Sequence, residues 1–223
     1  VSILNFIPLA SSSHGNAYLL EDGQSRLLIE CGVSFKKLQQ LTGFQTASLA
    51  GCIVSHEHKD HAGCYKTLAQ NGIPVYASAG TAEALDYEGF EVLEDRVRVS
   101  VGSYDILPFP TFHDAAEPLG FLIKSRADGE KLFFATDTAA LAYRVPGCQL
   151  VAVECNYDED ILSKAERMPE KVRYRVRHAH MSVAQTCQWL QGLDVAQTRE
   201  DMERMRRLLA RMQEEECEME RRD

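Results

Sequence analysis

The hexapeptide His56-Glu57-His58-Lys59-Asp60-His61 sets three imidazoles and the carboxylate of Asp60 within six residues. Imidazole nitrogen and carboxylate oxygen together suit a borderline divalent cation; zinc is the first expectation, and the same donors serve manganese or iron. In an extended segment side chains alternate with period two, so His56 and His58 project the same way. Asp60 and His61 then turn into a helix start and are free to face a second cation. A chance surface cluster is a poor account of this string, because it uses three of the chain's seven histidines.

A string of donors acts only if a folded frame gathers it. The 223 residues are enough for one sizeable core, and a hydrophobic fraction of 45% with 26% charged is that of an ordinary globular protein. No apolar run approaches the roughly 20 residues of a bilayer span, so no membrane partner is expected. VSILNFIPLA lacks the basic start of a secretory signal. Seven scattered cysteines with no C-x-x-C pair suggest neither a zinc knuckle nor a disulfide framework, and a reduced, cytoplasmic chain is the expectation. The formal charge of −9 excludes a large non-specific nucleic-acid surface but not a local basic patch.

The chain opens as a β-meander, with an apolar run at 2–8 and strands at 17–20 and 26–29 flanking the turn Glu21-Asp22-Gly23-Gln24. Ser34 caps a short helix ending before Gly43. Residues 51–54 read as a short buried strand whose exit carries the histidines. HAGCYKTLAQNG reads as one helix closed by Gly72, 74–77 as a strand, and Thr81 as the opening of another helix. From about Val97 the runs RVRVSV, YDILPF, LGFLIKS, KLFFAT and QLVAVE read as strands, with Asp128-Gly129 as a hairpin turn. Strand clusters alternating with helices predict two sheets covered by helices. Ser182-Val183-Ala184-Gln185 is a capping-box pattern that opens a helix through Leu190. Residues 196–223 read as a charged helical tail after a domain at 1–195. There Met202, Met205, Leu209, Met212 and Met219 lie near a heptad seam, interrupted by Glu216. A solvated tail is the plain expectation, and a self-association helix the alternative.

The H-x-H-x-D-H pattern resembles the signature of the metallo-β-lactamase superfamily. SSSHGNAYLLEDGQSRLLIECG, FHDAAEPLGFLI, FFATDTA, VECNYDED and HMS resemble, in order, stretches of its YycJ-type branch, hydrolases linked to nucleic acids. The resemblance covers roughly residues 2–192 and implies an αββα sandwich. It also implies one cation on His56, His58 and His113, and a second on Asp60 and His61, with Asp137 bridging. His113 and Asp137 each end an apolar run, where strand ends deliver ligands to one pocket. Two cations about 3.5–4 Å apart would clamp a water and lower its pKa toward about 7, giving hydroxide at neutral pH. The expected substrate is a phosphodiester in DNA or RNA.

Departure of the leaving alkoxide benefits from a general acid. Similarity to the tRNA 3′-end endonuclease branch implies that Glu154 and His180 form that proton-donating pair, beside Asp60 at the metals; a buried stabilising pair is the alternative. Lys171, Arg173, Arg175 and Arg177 precede His180. As a strand they would share one face, and as a helix, which the family suggests, they would spread around it. His14 and His178 read as loop residues, and Ser13 and Asn16 as loop supports more than phosphate contacts.

One feature departs from the family pattern. Its second site is normally closed by a further histidine after a late strand, yet no histidine follows His180 and that strand is missing. The second cation is then completed by water, by a tail carboxylate or another subunit, or is held weakly in a poorly active chain. Rival expectations are a thioesterase or lactonase on the same site, and a degenerate binding protein without catalysis.

Overall fold

The computed structural model describes residues 4–143 and 147–193, arranged as two sheets between layers of helix. The first sheet has the order β1 (Asn5–Ala10), β2 (Ala17–Glu21), β3 (Arg26–Ile29), β4 (Leu49–Ile53), β5 (Val75–Ser78) and β6 (Glu91–Leu93). Its first three strands form the antiparallel meander, and β3 to β6 run parallel. The second sheet has the order β11 (Leu150–Val153), β10 (Lys131–Ala135), β9 (Leu119–Ser125), β8 (Tyr104–Pro110) and β7 (Val99–Val101), antiparallel except for β10 against β11.

Period-two alternation decides which layer each side chain joins. In β2 and β3, Leu20, Leu27 and Ile29 face the second sheet, where they pack with Ile106, Phe121, Ile123 and Phe134. Leu19 and Leu28 face the other way, toward Leu38 and Leu68 of the covering helices. Phe109, Phe133 and Ala135 point outward from the second sheet onto Met181, Trp189 and Leu190. Each such apolar side chain, fully buried, contributes about 1.5–3 kcal/mol. Polar bonds also join the sheets. The buried Tyr104 hydroxyl lies 3.1 Å from each of the Leu20 and Ser25 carbonyls. Asp22 accepts from Ser103 Oγ at 2.5 Å and Ser125 Oγ at 2.9 Å.

Helix α1 (Phe35–Leu41) has the expected Ser34 cap, and α7 (Val183–Gln191) the expected capping box. Three local expectations need correction. The segment after Asp60 is two helices, α2 (Lys59–Ala62) and α3 (Tyr65–Gln70), because the Cys64 N–H turns aside to bond the Cys31 carbonyl at 2.9 Å. Helix α4 (Ala79–Ala84) is capped by Ser78 rather than opened by Thr81; the Ser78 hydroxyl accepts from the Thr81 N–H at 3.1 Å. Of RVRVSV only the last three residues are strand, while β6 carries no alternating pattern that would reveal it.

Helix α5 spans Glu159–Lys164, and the basic run lies on helix α6 (Glu170–Ala179), so its cations spread around the axis. Arg173 closes the Ala165 and Met168 carbonyls, and Arg177 binds Glu159. None of the six described cysteines is in a disulfide, and no described helix is long and apolar enough to cross a membrane. The methionine seam, the boundary near 195 and the charged tail lie outside the described residues.

Candidate metal centre

Strand ends deliver every group of the centre but His180. Ser55 and His56 follow β4, His58 to His61 lead into and form α2, His113 follows β8, Asp137 follows β10, and Glu154 follows β11. His180 sits at the junction of α6 and α7. His56 Nε2 and His113 Nε2 lie 3.0 and 3.2 Å from His58 Nδ1. Lone pairs that close repel one another unless a proton or cation lies between them. Around a tetrahedral zinc with bonds of about 2.1 Å, ligand atoms lie about 3.4 Å apart, so the spacing fits a metal. A single atom, Asp137 Oδ2, is 3.8 Å from His56 Nε2, 3.6 Å from His113 Nε2 and 3.2 Å from His61 Nε2. Asp137 therefore belongs to two donor groups, His56, His58, His113 and Asp137, and Asp60, His61 and Asp137, and it also lies within reach of Glu154 and His180. Asp137 holds a left-handed backbone, φ 39°, uncommon for a residue with a side chain and often found where a site imposes it.

Partners behind the ligands set their tautomers. His56 Nδ1 is 2.9 Å from Ser55 Oγ, and His113 Nδ1 donates to the Ala179 carbonyl at 3.0 Å, leaving both Nε2 atoms aimed inward. His61 Nδ1 faces Glu30 Oε2 at 3.6 Å, both side chains being fully buried. Among the described residues, Glu30 Oε1 and His61 Nδ1 have no hydrogen-bond partner. Burial pushes His56 down to about 2, and it also lowers His113, keeping both imidazoles neutral as ligands must be. Burial opposes charge on His61 too, but Asp137, Asp60 and Glu30 outweigh it and hold that imidazole at about 12. Three carboxylates around one ring call for a positive charge there, proton or metal. The residues fit a divalent metal.

Glu30 escaped the sequence reading, since IECG looks like the end of a strand. Its left-handed φ of 63° and its position after β3 turn the carboxylate under His61. Glu30→Gln is expected to weaken metal binding about 10–100-fold while leaving the fold intact, measured by competition with a chromophoric chelator. Unchanged affinity would remove Glu30 from the centre. Asp114, also unassigned from sequence, lies 3.2 Å from His113 Nε2 and accepts from Arg175 Nε at 2.6 Å. Arg175 is thus the member of the basic run that reaches the centre.

Glu154 is buried and hydrogen-bonded to His180 Nδ1. Its other oxygen accepts from the Thr138 N–H at 2.6 Å and the Met181 N–H at 3.3 Å. Burial raises Glu154. Burial alone would lower His180, yet the adjacent Glu154 raises it, so the pair retains a proton. The His180 ring lies tilted against that of His113, with centroids 5.1 Å apart, beside the donors. Asn16 is a loop support, bonded to the Asp60 carbonyl, while Ser13 and His14 are exposed. His178 is an exposed helical residue stacked on Tyr174, not a loop residue. Glu57 braces the following loop through the Ala116 N–H at 2.8 Å.

Residues 25–199 match the family model described as Beta-lactamase superfamily domain. The chain is 29% identical over 190 residues to exodeoxyribonuclease YycJ of Bacillus anthracis, covering 78% of this chain and 70% of that protein. It is 28% identical to exodeoxyribonuclease WalJ of Streptococcus pneumoniae, covering 76% and 70%. In structure it resembles the metallo-beta-lactamase fold protein YhfI of Bacillus subtilis, with TM-score 0.58 and 18% identity over 82% of this chain and 78% of that one. The chain belongs to the β-lactamase superfamily domain family, on its YycJ-like branch, and is a hydrolase of the metallo-β-lactamase fold.

Proposed function

We propose that this protein is a metal-dependent phosphodiesterase acting on nucleic acid, with DNA the substrate class favoured by its relatives named exodeoxyribonucleases. The observation that carries the reading is Asp137 Oδ2, one oxygen shared by two donor groups. His56, His58, His113 and Asp137 would hold one cation, and Asp60, His61 and Asp137 a second. Bound there, divalent metal supplies Lewis acidity that activates water and polarises the phosphoryl oxygen. Zinc is the first candidate, with manganese or iron served by the same ligands.

The chain's own residues do the rest. Glu154 orients His180 and keeps it protonated, so that its imidazolium can pass a proton to the departing alkoxide. Arg175, 60% exposed at the rim, offers a cation to the substrate backbone through a guanidinium already oriented by Asp114. Residues 1–195 would form the catalytic domain, with 196–223 appended to it.

His180→Ala tests the proton-donor role. With an oligodeoxynucleotide, whose leaving group is a poor one, kcat is expected to fall about 100-fold. With bis-nitrophenyl phosphate, whose leaving group needs no proton, it should change little, and metal content should stay the same. Equal losses on both substrates would make the pair structural. Turnover of a thioester or lactone panel in preference to phosphodiesters would replace the substrate assignment, and bound metal without any turnover would favour a binding protein.

A further inference from the structure

Helix α6 carries a stripe of side chains that the packing of the fold does not use. Lys171, Tyr174, Arg175 and His178 stand at i, i+3, i+4 and i+7, the spacing that sets residues on one face of a helix. That face is open to solvent. Tyr174 is 62% exposed and the Arg175 side chain 60%, and Lys171 and His178 are exposed as well. The opposite face does the packing: Arg173 and Arg177 reach back to Ala165, Met168 and Glu159.

Two features give the stripe a chemistry. The Tyr174 and His178 rings are stacked, with centroids 3.9 Å apart and 21° between their planes. His178 Nδ1 donates to the Tyr174 carbonyl at 2.8 Å, which fixes the imidazole, so a flat aromatic surface is held rigid in water. The second feature is charge. The helix carries four cations against one acid, Glu170, in a chain whose formal charge is −9. Lys171 and Arg175 flank the ring pair. Rings interleaved with cations suit a single strand of nucleic acid, whose bases stack while its phosphates pass the charges. A double helix keeps its bases stacked on one another and would use the cations alone.

The stripe is also joined to the centre. Arg175 Nε donates to Asp114 at 2.6 Å, and Asp114 lies 3.2 Å from His113 Nε2. One turn later the Ala179 carbonyl accepts from His113 Nδ1 at 3.0 Å, and the helix ends at His180. A strand lying along this face is thereby led to the candidate ligands.

We propose that the outer face of α6 is the substrate track of this protein, on which an unpaired nucleic-acid end lies with a base stacked on Tyr174 and its phosphates on Lys171 and Arg175. The inference rests on the nucleic-acid reading of the centre and adds that bases are held by stacking, in unpaired form and with no base edge read.

Fluorescence anisotropy with the protein as purified tests it. The probes are a labelled phosphorothioate thymidylate oligomer, which resists hydrolysis, and an abasic phosphorothioate oligomer of the same length. Wild type is expected to bind the thymidylate about 5- to 100-fold more tightly than the abasic strand. Tyr174→Ala should erase that preference and leave abasic binding unchanged, while Tyr174→Phe keeps it. Lys171→Gln should weaken both oligomers alike and reduce the salt slope by about 0.7. Circular dichroism reports whether each variant keeps the fold. No thymidylate preference in wild type, or a preference that survives in Tyr174→Ala, would overturn the inference. So would a changed oligomeric state in Tyr174→Ala with thymidylate binding unaltered, which would make the face an interface between copies. A wild type that binds neither oligomer and hydrolyses no oligodeoxynucleotide would instead defeat the nucleic-acid reading itself.

Discussion

Asp137→Ala is expected to lower phosphodiester hydrolysis by about four decades and to strip metal from both donor groups. The reason is the position of one atom. Asp137 Oδ2 is 3.2–3.8 Å from His61, His113 and His56, so its removal takes a ligand from each group at once. Lewis-acid stabilisation of a transition state is worth several kcal/mol; about 5–6 kcal/mol corresponds to roughly 10⁴ in rate. The charge balance shifts as well. Burial works against ionisation of Asp137, but His61 and His56 outweigh it and hold the carboxyl below the usual carboxylate range. Without that anion the neighbouring imidazoles face one another with less compensation, so residual metal should dissociate readily. Elemental analysis beside rate measurements checks this. Activity within tenfold of wild type at full metal content would mean that Asp137 is no bridging ligand.

Gly32→Ala is expected to be the most damaging change to the frame that holds the centre. A Cβ on Gly32 would fall 1.6 Å from the Asp60 carbonyl oxygen and 2.1 Å from its carbon, an overlap that no rotamer relieves. Three loops meet there. Asn16 bonds Asp60, Gly32 bonds the Asn16 carbonyl at 2.8 Å, Cys31 bonds the His61 carbonyl at 2.8 Å, and Cys64 returns to Cys31. An extra methyl must part these backbones, which carry Asp60 and His61. Overpacking commonly costs about 1–3 kcal/mol, and a rigid backbone neighbour puts this case at or above about 3 kcal/mol. For a chain of this size that is a fall in Tm of about 6–12 °C. Calorimetry and metal content should fall together; a Tm within 2 °C of wild type with metal retained would show that the contact yields easily.

The four candidate ligands of the hexapeptide were legible from their neighbours alone, because the i, i+2 spacing of His56 and His58 and the turn at Asp60 are local properties of a strand end entering a helix. The meander, the Ser34 cap and the capping box at Ser182 were legible for the same reason: cap and turn chemistry acts over a few residues. The break between α2 and α3 was not. It depends on the Cys31 carbonyl, 33 residues away in sequence, drawing the Cys64 N–H out of the helix. The basic run is a helix, the alternative that the family suggests, but its partners were not legible: Arg173 and Arg177 are taken up by Ala165, Met168 and Glu159, while Arg175 turns to Asp114.

Sequence by itself determined the donor types, their order along the chain and the strand ends that carry them, since these follow from residue chemistry and short-range periodicity. Only the tertiary structure decided that Glu30 backs His61, that Asn16 fills space beside it, and that one Asp137 oxygen serves both donor groups. Those facts depend on contacts such as Asn16 to His61, separated by 45 residues, and on loop backbones packed too closely for a single methyl. Such distances are set by how two sheets stack, a property of the whole core that no short stretch of residues encodes.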